Sequence, residues 1–274
     1  MLYWRQMRVS LTVCLILICT ASVATAQSAH VTPAQVKEAE QRLASLGYWT
    51  GRVDGIFDQG AQSALIAFQK WSGRPVTGQL TIDELKAIQN SASPKARETG
   101  YEHAEVDLDR QVFLWVDNQG GVRVLPVSTG TGKSYLDEGQ ESIAYTPRGR
   151  FLVYRKGVGW EKGPLGSVYY PNDISGGIAI HGSRNVPAAP ASHGCIRVPM
   201  FAALEVSKLL KLGTIVLVYD QVSFVSAKDW VKNPKLKEAA LRNIAAEDAD
   251  TVETPTNKST PLAIRKPRPK VIRA

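Results

Sequence analysis

Apolar residues recur every three or four positions early in the chain and later give way to short β-branched runs, so the pattern predicts a helical part followed by a strand-rich part. Val36, Ala39, Leu43 and Leu46 share one helical face. Thr32-Pro33-Ala34-Gln35 stands ahead of them as a capping box with proline at the first helical position, and Gly47 follows as a stop. Ala61, Ala64, Leu65, Phe68 and Trp71 mark a second helix, and a third starts at Thr81, with Glu84 placed to complete another capping box. Three short amphipathic helices over residues 32–90 can close one core. Between the first two lies a turn-rich aromatic stretch, Leu46-Gly47-Tyr48-Trp49-Thr50-Gly51 and then Asp54-Gly55-Ile56-Phe57-Asp58.

Residues 91–102, with Ser91, Ser93, Pro94 and Gly100, read as a linker. Beyond them the period changes. Runs at 112–116, 122–127, 151–154, 177–180 and 214–219 are β-branched or aromatic and broken by glycine and proline, as in a mostly antiparallel sheet. A helix over 201–212, closed by Gly213, completes a mainly β domain at 103–220 with a flanking helix. The spacing over 227–246 allows an amphipathic helix within 221–250. From Thr251 onward six basic residues face only Glu253, the composition of a disordered basic tail over 251–274.

The start of the chain changes the picture. Arg5 and Arg8 precede an apolar run over 9–19 and the small-x-small site Ala24-Thr25-Ala26, so residues 1–26 read as a signal peptide and the mature chain as beginning at Gln27. An uncleaved anchor fits less well, because the run is about half of the roughly 20 residues that span a bilayer. Lipid attachment at Cys19 is disfavoured by the bulky Ile18. Export to the periplasm or cell wall is the expectation. The 248 residues left correspond to two modest domains at about 150 residues each. Cys14 and Cys19 leave with the signal, so Cys195 cannot pair within the mature chain, and a lone thiol in an oxidising space points to reactivity. The formal charge of +8 falls to +6 when Arg5 and Arg8 leave. Nucleic acid does not suit an exported protein as a partner. An anionic membrane or wall surface does, and the basic tail could be drawn to lipid headgroups by about 1 kcal/mol per basic residue; a merely solvated end is the plainer role for it.

Candidate chemistry is concentrated in Gly177-Ile178-Ala179-Ile180-His181-Gly182 and His193-Gly194-Cys195-Ile196-Arg197, with eleven residues between the two histidines. A cysteine nucleophile attacks as thiolate, free cysteine is mostly protonated at neutral pH, and imidazole has the pKa to take that proton. The glycines permit tight turns that aim backbone amides at an attacked carbonyl. Singly, a strand histidine is commonly structural and a lone cysteine a small buried hydrophobe. Together, two of the chain's four histidines lie within fourteen positions of its one mature cysteine, which favours Cys/His catalysis. Zinc held by His181, His193 and Cys195 is the other chemical option, but His-x-Cys is an uncommon ligand spacing and no acidic or CxxC partner is near.

These residues carry two resemblances. The aromatic turn segment, with Ala67-Phe68-Gln69 and Thr77-Gly78, resembles the peptidoglycan-binding repeat attached to many wall enzymes; the alternative is that Tyr48 and Trp49 are simply core, the commoner role for any single aromatic. Ser192-His193-Gly194-Cys195-Ile196-Arg197 with Ile180-His181-Gly182 resembles the signature of the L,D-transpeptidase catalytic domain. Val106-Asp107-Leu108 to Gln111, Ser128-Thr129-Gly130 and Thr146-Pro147-Arg148-Gly149-Arg150-Phe151 stand in that family's order, so this resemblance covers about residues 103–219.

The second resemblance implies that Cys195 attacks the carbonyl of the L-centre of diaminopimelate in a peptidoglycan stem tetrapeptide and expels D-alanine. His181 would be the base, oriented by the Gly182 carbonyl. His193 would position the loop, and the amides of Gly194 and Cys195 would form the oxyanion hole. Ser192 and Arg197 would contact substrate, Arg197 suiting either the loop or a substrate carboxylate. Tyr169 and Tyr170 lie where the family often lends an aromatic to the donor site. A thioester then passes to an amine acceptor, with no metal or cofactor, and carbapenems would acylate the same cysteine. A hydrolase on this scaffold, either an L,D-carboxypeptidase or a link-cleaving amidase, and a non-catalytic peptidoglycan-binding protein remain as alternatives. The intact His181 and Cys195 argue against the last.

Overall fold

A computed structural model describes residues 31–137 and 139–220. The expected signal peptide, the helix within 221–250 and the basic tail fall outside the described residues. Thr32 caps α1 (Pro33–Ser45) as the pattern predicts: Gln35 N–H donates to Thr32 Oγ1 at 3.4 Å and Thr32 N–H to Gln35 Oε1 at 2.9 Å. Asp58 caps α2 (Gln59–Trp71), its Oδ1 accepting from Ala61 N–H at 2.9 Å. Thr81 caps α3 (Ile82–Gln89) through Glu84 N–H at 3.1 Å, but the box is only half formed. The Glu84 carboxylate turns instead to the Arg74 guanidinium at 3.0 and 3.1 Å, a charge-assisted partner stronger than a backbone amide.

The strand-rich part contains β1 (His103–Asp107), β2 (Val112–Val116), β3 (Val122–Pro126), β4 (Ser134–Asp137), β5 (Gln140–Ile143), β6 (Gly149–Leu152), β7 (Arg155–Lys156), β8 (Trp160–Gly163), β9 (Gly166–Ser175), β10 (Ile178–Ser183), β11 (Ile196–Pro199), α4 (Ala203–Leu209) and β12 (Ile215–Tyr219). One sheet runs β3-β2-β1-β12-β6, a second β11-β10-β9-β7 with β8 on β9, and β4–β5 is a separate hairpin. Most pairs are antiparallel, but β1–β12 and β10–β11 are parallel. The helix expected over 201–212 is shorter: a 3₁₀ turn, Met200–Ala202, leads into α4. The Lys156 ammonium meets the Ser207 and Leu210 carbonyls, which satisfies backbone groups at the end of α4.

Strand β2 is buried along its whole length, which explains why Val112-Phe113-Leu114-Trp115-Val116 is apolar at every position. Phe113 and Trp115 face one core with Ile180, Ile196, Val198 and Val206, between the sheets and α4. Val112, Leu114 and Val116 face the other way, into a core shared with Ala39, Leu43, Leu65 and Phe68 of the helices. Gly47 brings the helical part onto β3: a Cβ there would sit 2.4 Å from the Val122 carbonyl oxygen, and its φ is +96°. Tyr48 and Trp49 are buried in this contact, and Trp49 N–H donates to the Val124 carbonyl at 3.0 Å. Of the two readings of these aromatics, the core reading holds. Residues 91–102 are fastened along their length, Ser91 O accepting from Arg42 Nη2 at 2.7 Å and the Arg97 and Glu98 amides donating to the buried Glu105 carboxylate at 2.9–3.0 Å.

Candidate active site

Strands β10 and β11 set the geometry. They run parallel with Ile180 beside Ile196 and His181 beside Arg197, so Cys195, one residue ahead of β11, comes abreast of Ala179. Side chains alternate along a strand, which puts Ala179, His181, Cys195 and Arg197 on one face. All four line a cleft of about 680 Å³. The β8–β9 hairpin, residues 161–168, walls one side and Tyr135 of β4 stands at another.

His181 occupies an irregular step of the β9–β10 pairing, between the Ile180 and Gly182 registers. Such a bulge re-aims a side chain and leaves a backbone group in need of a partner. Here the Asn172 amide donates to the Ile180 carbonyl at 3.1 Å. The His181 ring is buried, and its Nδ1 lies 3.0 Å from the Gly182 carbonyl oxygen. A carbonyl can only accept, so Nδ1 carries the proton and, in the neutral ring, Nε2 is left as a proton acceptor. Burial, the largest influence, lowers the His181 pKa below its ordinary 6.5; Arg197 adds to this, while the Gly182 carbonyl and Asp173 oppose it. Burial likewise raises Cys195 above its ordinary 9.0, with Asp173 adding and the Ala179 amide and Arg197 opposing. Both groups are therefore uncharged at neutral pH. The sulfur accepts from Ala179 N–H at 3.5 Å, and the thiol donates to the Gly177 carbonyl at 3.6 Å.

Ser192 and Gly194 are tied to each other within the turn that carries Cys195. Ser192 is buried, and its hydroxyl accepts from Gly194 N–H at 3.0 Å and donates to the Cys195 carbonyl at 2.6 Å. Ser192 also lines the cleft, and its hydroxyl shapes the turn. The Gly194 amide expected in the oxyanion hole is thereby occupied. Gly194 itself has φ +140°, and a Cβ would meet Ile178 Cδ1 at 2.6 Å and the Tyr145 oxygen at 2.8 Å. Gly182 is equally constrained, because a Cβ there would lie 2.5 Å from Ala203 Cβ at the start of α4. His193 is exposed and rests against Tyr135 with ring centroids 4.5 Å apart.

Arg197 points a guanidinium into the cleft that, among the described residues, has no hydrogen-bond or ion-pair partner. Of the other cations of the cleft wall, Lys162 and Arg155, the latter is committed to Asp173 at 2.9 Å and to Glu161 at 2.7 Å. Tyr169 and Tyr170 do not line the cleft; Tyr169 packs on Trp160 and Gly182. Asp173, Thr146 and Tyr135 were not singled out by sequence reasoning. Thr146 Oγ1 donates to the Gly194 carbonyl at 2.6 Å and accepts from Gly130 N–H at 2.8 Å. Its place beside Pro147 in an ordered motif was the available signal. Asp173 and Tyr135 had none, because only the strand pairing brings them to the cleft. Among the described residues no group of three or more His, Cys, Asp or Glu side chains is arranged to hold a metal ion.

Two family models match the chain. Residues 101–218 match the L,D-transpeptidase catalytic domain and residues 32–88 the putative peptidoglycan binding domain. Among solved structures, an L,D-transpeptidase from Xylanimonas cellulosilytica is 36% identical, the match covering 69% of this chain and 95% of that one, with a TM-score of 0.65. An L,D-transpeptidase from Stackebrandtia nassauensis is 22% identical over 67% of this chain and 90% of that one, with a TM-score of 0.41. One from Mycobacterium smegmatis is 22% identical over 43% and 58%, with a TM-score of 0.36. No curated protein matches the chain.

Proposed function

The chain belongs to the L,D-transpeptidase family, and from that premise we propose that it is an exported peptidoglycan L,D-transpeptidase working through a thioester on Cys195. The observation that carries this reading is the His181 tautomer, with Nδ1–H held by the Gly182 carbonyl and Nε2 free to accept the thiol proton on the cleft face shared with Cys195. In the first step the sulfur attacks the carbonyl carbon at the L-centre of the donor tetrapeptide as its proton passes to His181 Nε2. The C–N bond to D-alanine then breaks, and the leaving amine takes that proton. In the second step the acceptor amine attacks the thioester and gives a proton to Nε2, and the sulfur leaves to regain it as the thiol. With the Gly194 amide taken by Ser192, the Cys195 amide is the loop donor assigned to the oxyanion. The unpaired Arg197 suits a carboxylate of the stem peptide.

A carbapenem should add its mass once to the mature chain, and Cys195→Ala should abolish the adduct and the activity. Given a disaccharide tetrapeptide, a transpeptidase yields a dimer short of one D-alanine. A tripeptide monomer means carboxypeptidase instead. Unchanged substrate with no adduct sinks the catalytic reading. Export is checked on the same preparation from its native host, whose amino terminus should be Gln27; retention of Met1 overturns that part.

A further inference from the structure

Lys70 lies in the last turn of α2, where a cation ordinarily reaches solvent. Here the side chain turns inward. It is only 7% exposed, and its ammonium donates to the Gln111 carbonyl at 3.1 Å and the Val127 carbonyl at 2.8 Å. No carboxylate among the described residues pairs with it. Burying a cation against two carbonyls carries a desolvation penalty that a methionine filling the same space avoids, so apolar packing between the helices and the sheet gives no reason for a lysine.

Both carbonyls belong to the support of the Cys195 loop. Gln111, at φ +55°, accepts Thr129 N–H on Oε1 at 3.0 Å and donates from Nε2 to Thr129 Oγ1 at 2.8 Å. The Thr129 carbonyl accepts the amides of Ala191 at 3.0 Å and Ser192 at 2.9 Å. Ser128, between Val127 and Thr129, exchanges backbone hydrogen bonds with Arg197 at 3.0 and 3.2 Å, and its hydroxyl donates to the Ala189 carbonyl at 2.9 Å. Residues 127–129 are thus the platform on which 189–197 is laid, and Lys70 grips that platform from the far side. The Ser192 hydroxyl completes the path to the Cys195 carbonyl.

We propose that Lys70 is a positioning residue for Cys195, so that the peptidoglycan-binding unit is a working part of the acyl-transfer site as well as its attachment to the wall. This rests on the reading of Cys195 as the acylated residue. A lysine that only clamped two units together would affect stability and leave the rate of a folded enzyme alone. A positioning lysine does the reverse, because misplacing the sulfur by a fraction of an ångström slows attack without unfolding anything.

The test uses the full mature chain. Lys70→Met should fold, with a thermal midpoint near or above the parent's, yet be acylated by a carbapenem about 10- to 100-fold more slowly, with kcat for a tetrapeptide donor falling and KM nearly unchanged. Lys70→Arg, which restores the donors, should recover part of the rate. Thr129→Val cuts the next link and should slow acylation too, and the double variant should be no slower than the worse single one, since one path is cut twice. Acylation of folded Lys70→Met within about twofold of the parent overturns the proposal, as do single effects that multiply in the double variant. If Lys70→Met fails to fold, Thr129→Val decides on the same criterion. A parent chain that takes no adduct overturns the catalytic reading and this inference with it, whereas a reactive parent beside an equally reactive Lys70→Met overturns this inference alone.

Discussion

Cys195 and His181 share one face of the β10–β11 pair as thiol and neutral imidazole, and that has a consequence for pH. Burial raises the thiol above 9.0, so alkylation of Cys195 by iodoacetamide should keep rising as pH passes 9. A rate already flat from neutral pH upward would reveal a preformed ion pair instead. Acylation needs His181 unprotonated. Since burial lowers its pKa, the acid limb of the rate should fall below 6.5, with activity lost as pH drops through it. His181→Ala should slow acylation by about 10²–10⁴-fold, the usual worth of a general base; an unchanged rate would pass the role to another group. Gly182→Ala places a methyl 2.5 Å from Ala203 Cβ and should cost about 1–3 kcal/mol in denaturant unfolding. The histidine, the cysteine and the glycines were all legible in the motif. That Ser192 consumes the Gly194 amide was not, because a hydroxyl's partner depends on the turn it finds itself in.

Helix caps act locally, so they could be read from the order of residues. Asp58 received no such role in the sequence reading, yet it supplies the cap of α2 with no contribution from a distant element. Asp58→Ala should therefore destabilise the chain by about 1 kcal/mol with an unchanged denaturant slope, and a neutral variant would show that tertiary packing alone holds that helix end. The capping box at Thr81 shows the limit of local reading. Arg74, seven positions before it, captures the Glu84 side chain that the box required. Strands β4, β5, β8 and β9 escaped the pattern because they are partly exposed hairpins. Leu136 and Ile143, for example, are apolar yet face solvent, so no alternation marks their strands.

In the whole molecule the helical and β parts share the core around Val112, Leu114, Val116 and Val124. The mature chain should accordingly unfold in one cooperative step by calorimetry, and two separate transitions would show that the shared core is too weak to couple them. Deleting residues 32–90 strips that face and also removes Trp49 from the core between the sheets. The remaining β part should aggregate or lose its acylation by a carbapenem; a soluble, fully reactive fragment would contradict both the shared core and the role given to Lys70.

The order of residues alone determined the class of each half, the capped ends of the first helix, the motif that joins His181 to Cys195, and the family. Each depends on neighbours within one or two turns of chain, or on a signature with few other meanings. Tertiary structure decided what required distant segments to meet. It turned Tyr48 and Trp49 inward, drew Lys70 away from solvent to carbonyls 41 and 57 residues along the chain, and brought Asp173 and Tyr135 to the cleft. The physical reason is the same throughout: a buried polar group must be satisfied by whatever the fold places beside it, and which partner that is depends on packing rather than on sequence distance.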